Sequence, residues 1–188
     1  MRLFVGIAIP SSVRGEVGSR NAALRRRLPA ARWVPAEKLH FTLSFLGEIQ
    51  EDVLPTLAAS LETVFARRRP FGLQLAGAGF FPPGRGARVL WLGVEDGNAL
   101  RALQSEVAGQ LKAELGVEPE ARPYHPHLTL ARCTRPWPRR AAVSWVGAFP
   151  SRVGEPFEVR AGHLFRSRLG RRGAAYEILE TFPLAGGS

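Results

Sequence analysis

The sequence His40-Phe41-Thr42-Leu43 returns later in the chain as His127-Leu128-Thr129-Leu130. The 188 residues include only four histidines, so a repeated His-x-Thr spacing is far from what composition alone would produce. Both copies have the apolar residues of β-strands, and alternate residues of a strand point to the same face. We therefore predict two strands, each with an apolar face for the core and an imidazole-hydroxyl pair on the other face.

Strict alternation also assigns a face to the residues that follow each motif. It places Ser44 on the same face as His40, and Phe45 on the apolar face. On the second strand it places Arg132 on the apolar face with Leu128. Arg132 can then reach the polar face only if the strand bends or ends by Ala131.

Two imidazoles and two hydroxyls around one small anion suit a particular reaction. Near neutral pH one imidazole can accept a proton while the other donates one. A strained phosphodiester, such as the 2′,3′-cyclic phosphate at an RNA end, needs a base for the attacking water, an acid for the leaving oxygen and donors for the phosphoryl oxygens. We predict His40 and His127 as the acid-base pair. The predicted phosphate ligands are Thr42 and Thr129, with Arg132 and Ser44 as further candidates.

The residues around both motifs resemble one known family. Examples are Tyr124-His-Pro-His-Leu-Thr-Leu-Ala-Arg132 around the second motif and Trp33-Val-Pro before the first. The similar stretches are residues 2–9, 33–48, 79–82, 88–94, 124–132, 167–169, 173–176 and 182–184. On these residues the chain is similar to the 2H phosphoesterases, and within them to the bacterial and archaeal RNA 2′,3′-cyclic phosphodiesterases, historically called 2′-5′ RNA ligases.

The resemblance implies a fold and a set of roles. The fold is α+β, with two lobes of antiparallel sheets and flanking helices in a pseudo-two-fold arrangement. The active-site cleft lies between the lobes, and residues 1–188 form one bilobal domain. His40 is then the proton donor to the leaving 3′ oxygen and His127 the proton acceptor from water, which gives a 2′-phosphate product. The residues alone leave open which histidine is acid and which is base.

Other functions remain open at this stage. The same site could act on another small cyclic phosphate or on a 2′-5′ linked nucleotide. Joining RNA ends through a 2′-5′ bond would be a variant in which an RNA 5′-hydroxyl replaces water, and we expect it to be minor. A non-enzymatic RNA-binding module would leave the paired His-x-Thr motifs unexplained.

Composition and charge point to the partner. The formal net charge is +10, which favours a polyanion, although arginine-rich codon usage explains the excess equally well. We expect RNA with 2′,3′-cyclic phosphate ends, such as tRNA fragments, to be the substrate of a monomer. A single cysteine, Cys133, favours a reducing cytoplasm. No apolar run approaches the ~20 residues of a membrane span, and the apolar start resembles a strand rather than a signal peptide.

The sequence predicts no metal and no cofactor. His125 shares a face with His127 and could form a metal pair, but no third ligand accompanies it. Gly77 and Gly79 lack the third glycine of a dinucleotide loop and are interpreted as a turn. We interpret His163 as structural, on one face with Phe157, Val159 and Phe165. Five aromatic residues could stack a terminal base, although core positions are the commoner alternative: Trp33, Phe80, Phe81, Tyr124 and Trp145.

Periodicity and turn signals predict an alternating order of strands and helices. Strands are predicted at residues 2–9, 39–46, 71–79, 88–94, 127–132, 157–166 and 174–183. Helices are predicted at about residues 11–28, 52–67 and 98–115. A proline-rich basic loop is predicted at residues 134–140, and residues 170–173 are predicted to join the last two strands.

Overall fold

The computed structural model describes residues 1–26, 28, 30–83, 86–170 and 173–186. They contain nine β-strands and four α-helices. In chain order they are β1 (Arg2–Ala8), α1 (Ser11–Leu24), β2 (Ala31–Trp33), β3 (His40–Glu48), α2 (Leu54–Ala66), β4 (Phe71–Phe81), β5 (Ala87–Val94), α3 (Asn98–Leu115), β6 (Leu128–Trp137), α4 (Arg139–Gly147), β7 (Arg152–Val159), β8 (Ala161–Gly170) and β9 (Gly173–Pro183). Short 3₁₀ turns lie at Ala36–Lys38 and Glu51–Val53.

The strands form one sheet with a repeated arrangement of four strands on each side of its centre. The order across the sheet is β7, β4, β5, β6, β3, β1, β8, β9, with β2 beside β6. Every described strand pair is antiparallel. The two motif strands, β3 and β6, meet at the centre through the single pair Phe41 and Leu128. This arrangement confirms the predicted α+β class with antiparallel sheets.

The helices cover one face of the sheet and bury the apolar side of the motif strands. Phe41 and Leu128 are fully buried, as is Leu130. Helix α3 has the bounds that its leucine spacing predicted, and it ends at Gly116, whose φ of +64° suits a left-handed C-terminal cap. No helix within the described ranges is both long and apolar enough to cross a membrane.

The structure corrects three predictions about the later chain. The strand predicted at residues 157–166 is two strands on opposite sides of the sheet, because β7 pairs with β4 and β8 pairs with β1. Phe157 and Val159 therefore lie on a different strand from His163 and Phe165. Within the predicted loop at 134–140, β6 continues to the buried Trp137 and α4 begins at Arg139. Arg171 and Arg172 of the last predicted turn lie outside the described residues.

The glycines of Gly77-Ala78-Gly79 lie inside a strand rather than in a turn. Gly77 has a φ of +69° and sits at a register shift of β4, where a bulge requires a conformation that glycine adopts without strain. Gly79 pairs with Trp91, and a Cβ at Gly79 would overlap the indole ring of Trp91. The second glycine therefore makes room for an aromatic ring on the sheet.

Candidate active site

The register of the central strands brings the two motifs together. Continuing the antiparallel pair Phe41 and Leu128 by one residue in each direction sets His40 opposite Thr129 and His127 opposite Thr42. Because Phe41 and Leu128 are buried against the helices, their neighbours point to the other face. Each histidine therefore faces the threonine of the other motif across a local two-fold axis.

Both imidazoles are held in the same way. The Nδ1 of His40 donates to the carbonyl oxygen of Lys38 at 2.8 Å, and the Nδ1 of His127 donates to the carbonyl oxygen of His125 at 2.7 Å. A carbonyl oxygen only accepts, so Nδ1 carries the hydrogen in both rings. The Nε2 atom of each neutral ring is then the one free to accept a proton. In the first motif, Oγ1 of Thr42 lies 3.1 Å from Nε2 of His40.

Aromatic rings enclose His40 on one side of the site. The ring centroid of His40 lies 4.8 Å from that of Phe4, 5.6 Å from that of Phe165 and 5.1 Å from that of Tyr176, which meets it edge-on. Phe4 and Phe165 are buried and stacked on each other, whereas Tyr176 is partly exposed. These rings come from β1, β8 and β9, and sequence reasoning missed all three because they are distant from the motif in the chain.

A second aromatic group encloses His127. Phe81 meets the His127 ring edge-on at 5.2 Å, and Trp91 lies at 6.4 Å. Trp91 pairs with Thr129 across β5 and β6 and rests over Gly79. Of the five aromatic candidates, Phe81 is in this group. Trp145 is fully buried in the core, and Trp33, Phe80 and Tyr124 are partly buried against it.

A bulge at the same place in each motif strand changes the face of the residues that follow. On β3 the pairing with β1 passes from Thr42 to Ser44 and omits Leu43. On β6 the pairing with β5 passes from Thr129 to Ala131 and omits Leu130. An extra residue in one strand reverses the alternation beyond it.

The bulge on β3 corrects the prediction for Ser44. Ser44 pairs with Val5, which is fully buried, so Ser44 lies on the apolar side and not on the His40 face. Phe45 pairs instead with Phe4, beside His40, and is 53% exposed. The prediction failed because strict alternation does not anticipate an inserted residue.

The bulge on β6 has the opposite consequence for Arg132. Ala131 joins Leu130 in the core, and Arg132 pairs with Val89, two residues from Trp91 on the same face. The alternation that placed Arg132 on the Leu128 face is therefore wrong. Its positive charge lowers the pKa of both His40 and His127, as expected if the guanidinium lies near both rings.

The environment favours neutral imidazoles in the free protein. Burial is the main cause that lowers the pKa of His40 and of His127, and the charge of Arg132 acts in the same direction. The charge of His127 also lowers the pKa of His40, which couples the two rings. Their hydrogen bonds to backbone carbonyls partly oppose these effects. A bound anion would favour the protonated form of one ring.

The remaining candidate groups lie beside this arrangement. His125 is exposed, and its ring lies 4.6 Å from that of Trp91. Among the described residues, no three His, Cys, Asp or Glu side chains are grouped so as to hold a metal ion. Cys133 follows Arg132 on β6 and is partly buried, and burial raises the pKa of its thiol, which disfavours a nucleophilic thiolate.

An antiparallel α+β frame that presents two His-x-Thr strands to one face is the architecture expected of a 2H phosphoesterase. A model of the 2′-5′ RNA ligase superfamily matches residues 10–172. The chain belongs to that superfamily, as the motif resemblance predicted.

Relatives with similar sequences and solved structures with similar folds match nearly the whole chain. A Thermus thermophilus protein named RNA 2′,3′-cyclic phosphodiesterase is 34% identical, with 99% of this chain and 91% of the relative covered. A protein of that name from Methanothermobacter thermautotrophicus is 30% identical, with coverage of 98% and 99%. A crystal structure of a Thermus thermophilus protein superposes with a TM-score of 0.86 at 31% identity, covering all of both chains. Escherichia coli LigT complexed with 3′-AMP gives 0.76 at 28% identity, covering 97% of each chain.

Proposed function

We propose that this protein hydrolyses the 2′,3′-cyclic phosphate at RNA ends to a 2′-phosphate, without a metal, using His40 and His127 as a general acid-base pair. The observation that supports this most strongly is the register of β3 and β6, which sets each histidine opposite the threonine of the other motif. The names of the two relatives support the reaction, and the 3′-AMP complex of LigT shows that a structural neighbour binds a nucleotide with a phosphate on the 3′ oxygen.

The proposed step balances with these groups alone. His127 Nε2 accepts a proton from water as the water oxygen bonds to phosphorus. The bond from phosphorus to the 3′ oxygen breaks, and His40 Nε2 donates a proton to that oxygen. Thr42 and Thr129 donate hydrogen bonds to the non-bridging oxygens, and Arg132 offsets their charge. The product is a 2′-phosphate with a free 3′-hydroxyl.

The hydrogen bonds at Nδ1 explain why both rings can exchange a proton through Nε2. Each carbonyl acceptor fixes the tautomer, so that Nε2 is the atom that exchanges the proton. Since the free site lowers both pKa values, the acid must gain its proton when the anionic substrate binds. One turnover leaves His40 neutral and His127 protonated, and exchange with solvent restores the starting state.

The test uses an RNA oligomer ending in 2′,3′-cyclic phosphate, incubated in EDTA with the wild type and with His40→Ala, His127→Ala and His163→Ala. His163 is the matched control, a histidine outside the two motifs. Its Nδ1 lies 3.0 Å from Oγ1 of Thr181 on β9. We expect the wild type and His163→Ala to form a 2′-phosphate end and the other two variants to lose activity. No conversion by the wild type would refute RNA ends as the substrate and direct the search to small cyclic phosphates or 2′-5′ linked nucleotides.

A modified substrate separates the acid from the base. If sulfur replaces the bridging 3′ oxygen, the leaving thiolate needs no proton. We expect this substrate to restore activity to His40→Ala but not to His127→Ala, and the reverse pattern would exchange the two roles. In the same assays joined 2′-5′ product should be minor, because water is in large excess; a large joined yield at micromolar ends would contradict this.

A further inference from the structure

Strand β2 places a second arginine directly beside Arg132. The short strand pairs antiparallel with β6, and Arg32 is the direct partner of Arg132. Directly opposed residues of an antiparallel pair project from the same face, with their Cβ atoms about 4.5–5.5 Å apart. The neighbouring pair sets Trp33 opposite Ala131, which is fully buried, so Arg32 projects on the opposite side, as Arg132 does.

No carboxylate of the described residues neutralises the charges of the two opposed guanidinium groups. Both arginines are exposed, and neither forms an ion pair with a carboxylate of the residues that the structure describes. Like charges directly opposite each other in a sheet are destabilising. An anion that bonds to both groups would relieve this repulsion, and planar guanidinium groups favour phosphate oxygens.

The position of the pair indicates which phosphate it would bind. Arg132 lies three residues beyond Thr129 along β6, which corresponds to about 10 Å of strand. Arg132 lies on the same strand and face as Thr129 and lowers the pKa of both histidines, so it borders the reacting phosphate, whereas Arg32 stands beside it on the neighbouring strand β2. A 2′,3′-cyclic phosphate is the last phosphate of its RNA chain. A second phosphate bound by Arg32 would therefore belong to the chain that precedes the RNA end.

We propose that Arg32, with Arg132, binds the phosphodiester that joins the terminal nucleotide to its predecessor, so that the preferred substrates are oligonucleotides rather than mononucleotides. This proposal rests on the proposed function of the same site. Arg32 is a specificity residue in this scheme and takes no part in proton transfer.

Binding of a product that cannot be hydrolysed tests the proposal without turnover. The probe is a fluorescent RNA oligomer ending in 2′-phosphate, followed by anisotropy at several salt concentrations, with a nucleoside 2′-monophosphate as competitor. The proteins are the wild type, Arg32→Ala, Arg32→Lys and Arg69→Ala, the last being an exposed arginine between α2 and β4 that removes the same charge elsewhere.

We expect Arg32→Ala to weaken binding of the oligomer about tenfold, in keeping with one lost charged hydrogen bond, and to leave the mononucleotide unchanged. The slope of log K against log salt should fall by about 0.7, the value for one phosphate contact of a single strand. Arg32→Lys should keep most of the slope, and Arg69→Ala should match the wild type. Equal weakening of both ligands, or none, would overturn the proposal. Failure of the proposed function would show separately, as absence of cyclic phosphate hydrolysis by the wild type.

Discussion

Replacing Gly6 by alanine should damage both stability and activity, because Gly6 lies where β1 passes the first motif. It pairs with Thr42 on one side and with His163 on the other. A Cβ at this position would lie 2.6 Å from the carbonyl oxygen of Phe41 and 3.6 Å from Cδ2 of His40. The closest atom belongs to the backbone of β3, so no side-chain rotation relieves the contact.

The magnitude follows from this geometry. Forcing an extra carbon into a packed site costs about 1–3 kcal/mol, and 1 kcal/mol shifts Tm by about 2–4 °C in a domain of this size. Relief of the contact must separate β1 from β3 beside His40. A displacement on the order of 1 Å at a reacting group can lower the rate about 100-fold. We therefore expect Gly6→Ala to lower both the midpoint of urea unfolding and kcat.

A second glycine provides a control of opposite sign. Gly109 is exposed inside α3, and a Cβ there would meet no heavy atom within 4 Å. Gly109→Ala should raise the free energy of unfolding by about 0.5–1 kcal/mol and leave kcat unchanged. If Gly6→Ala unfolds at the same urea concentration as the wild type with full activity, the strands separate without cost and the steric argument is wrong.

The other predictions concern the charges and hydroxyls of the site. Thr42→Val and Thr129→Val should each raise the barrier by about 2–4 kcal/mol, measured as kcat, and remain milder than His40→Ala. Arg132→Gln removes a positive charge that lowers the pKa of both histidines, so the bell-shaped profile of kcat/KM should move to higher pH; an unchanged profile would contradict proximity of the guanidinium. Because folding lowers both pKa values below 6.5, the unfolded chain binds more protons, and the free energy of unfolding should fall as pH drops below 6.5 through the folded-state values. Inorganic phosphate should reduce this loss in thermal melts, and a loss of unchanged size in both His40→Ala and His127→Ala would assign it to other groups.

Local patterns predicted the elements whose residues alternate or repeat without interruption. The leucines of α3 specified both of its ends, and the His-x-Thr alternation specified the buried Phe41 and Leu128. The separation of β7 from β8 was missed because one apolar pattern runs across Arg160, where the chain passes from one half of the sheet to the other. The rings of Phe4 and Tyr176 around His40 depend on strand pairing, which a local pattern does not specify.

The bulges were missed because strict alternation does not anticipate an inserted residue. They make the two halves of the site differ. Up to its threonine, each motif strand is nearly the same as the other, and each histidine is held by the carbonyl two residues before it. Five residues after each histidine, the matching bulges bring Phe45 to the face on one strand and Arg132 on the other. One half of the site is therefore apolar beyond its histidine, and the other is cationic. A pair of equivalent imidazoles has no preferred direction of proton transfer, so the orientation of the substrate must come from such flanking residues. For the proposed reaction, this places the determinants of the acid and base roles outside the repeated motif, which is why the motif alone could not assign them.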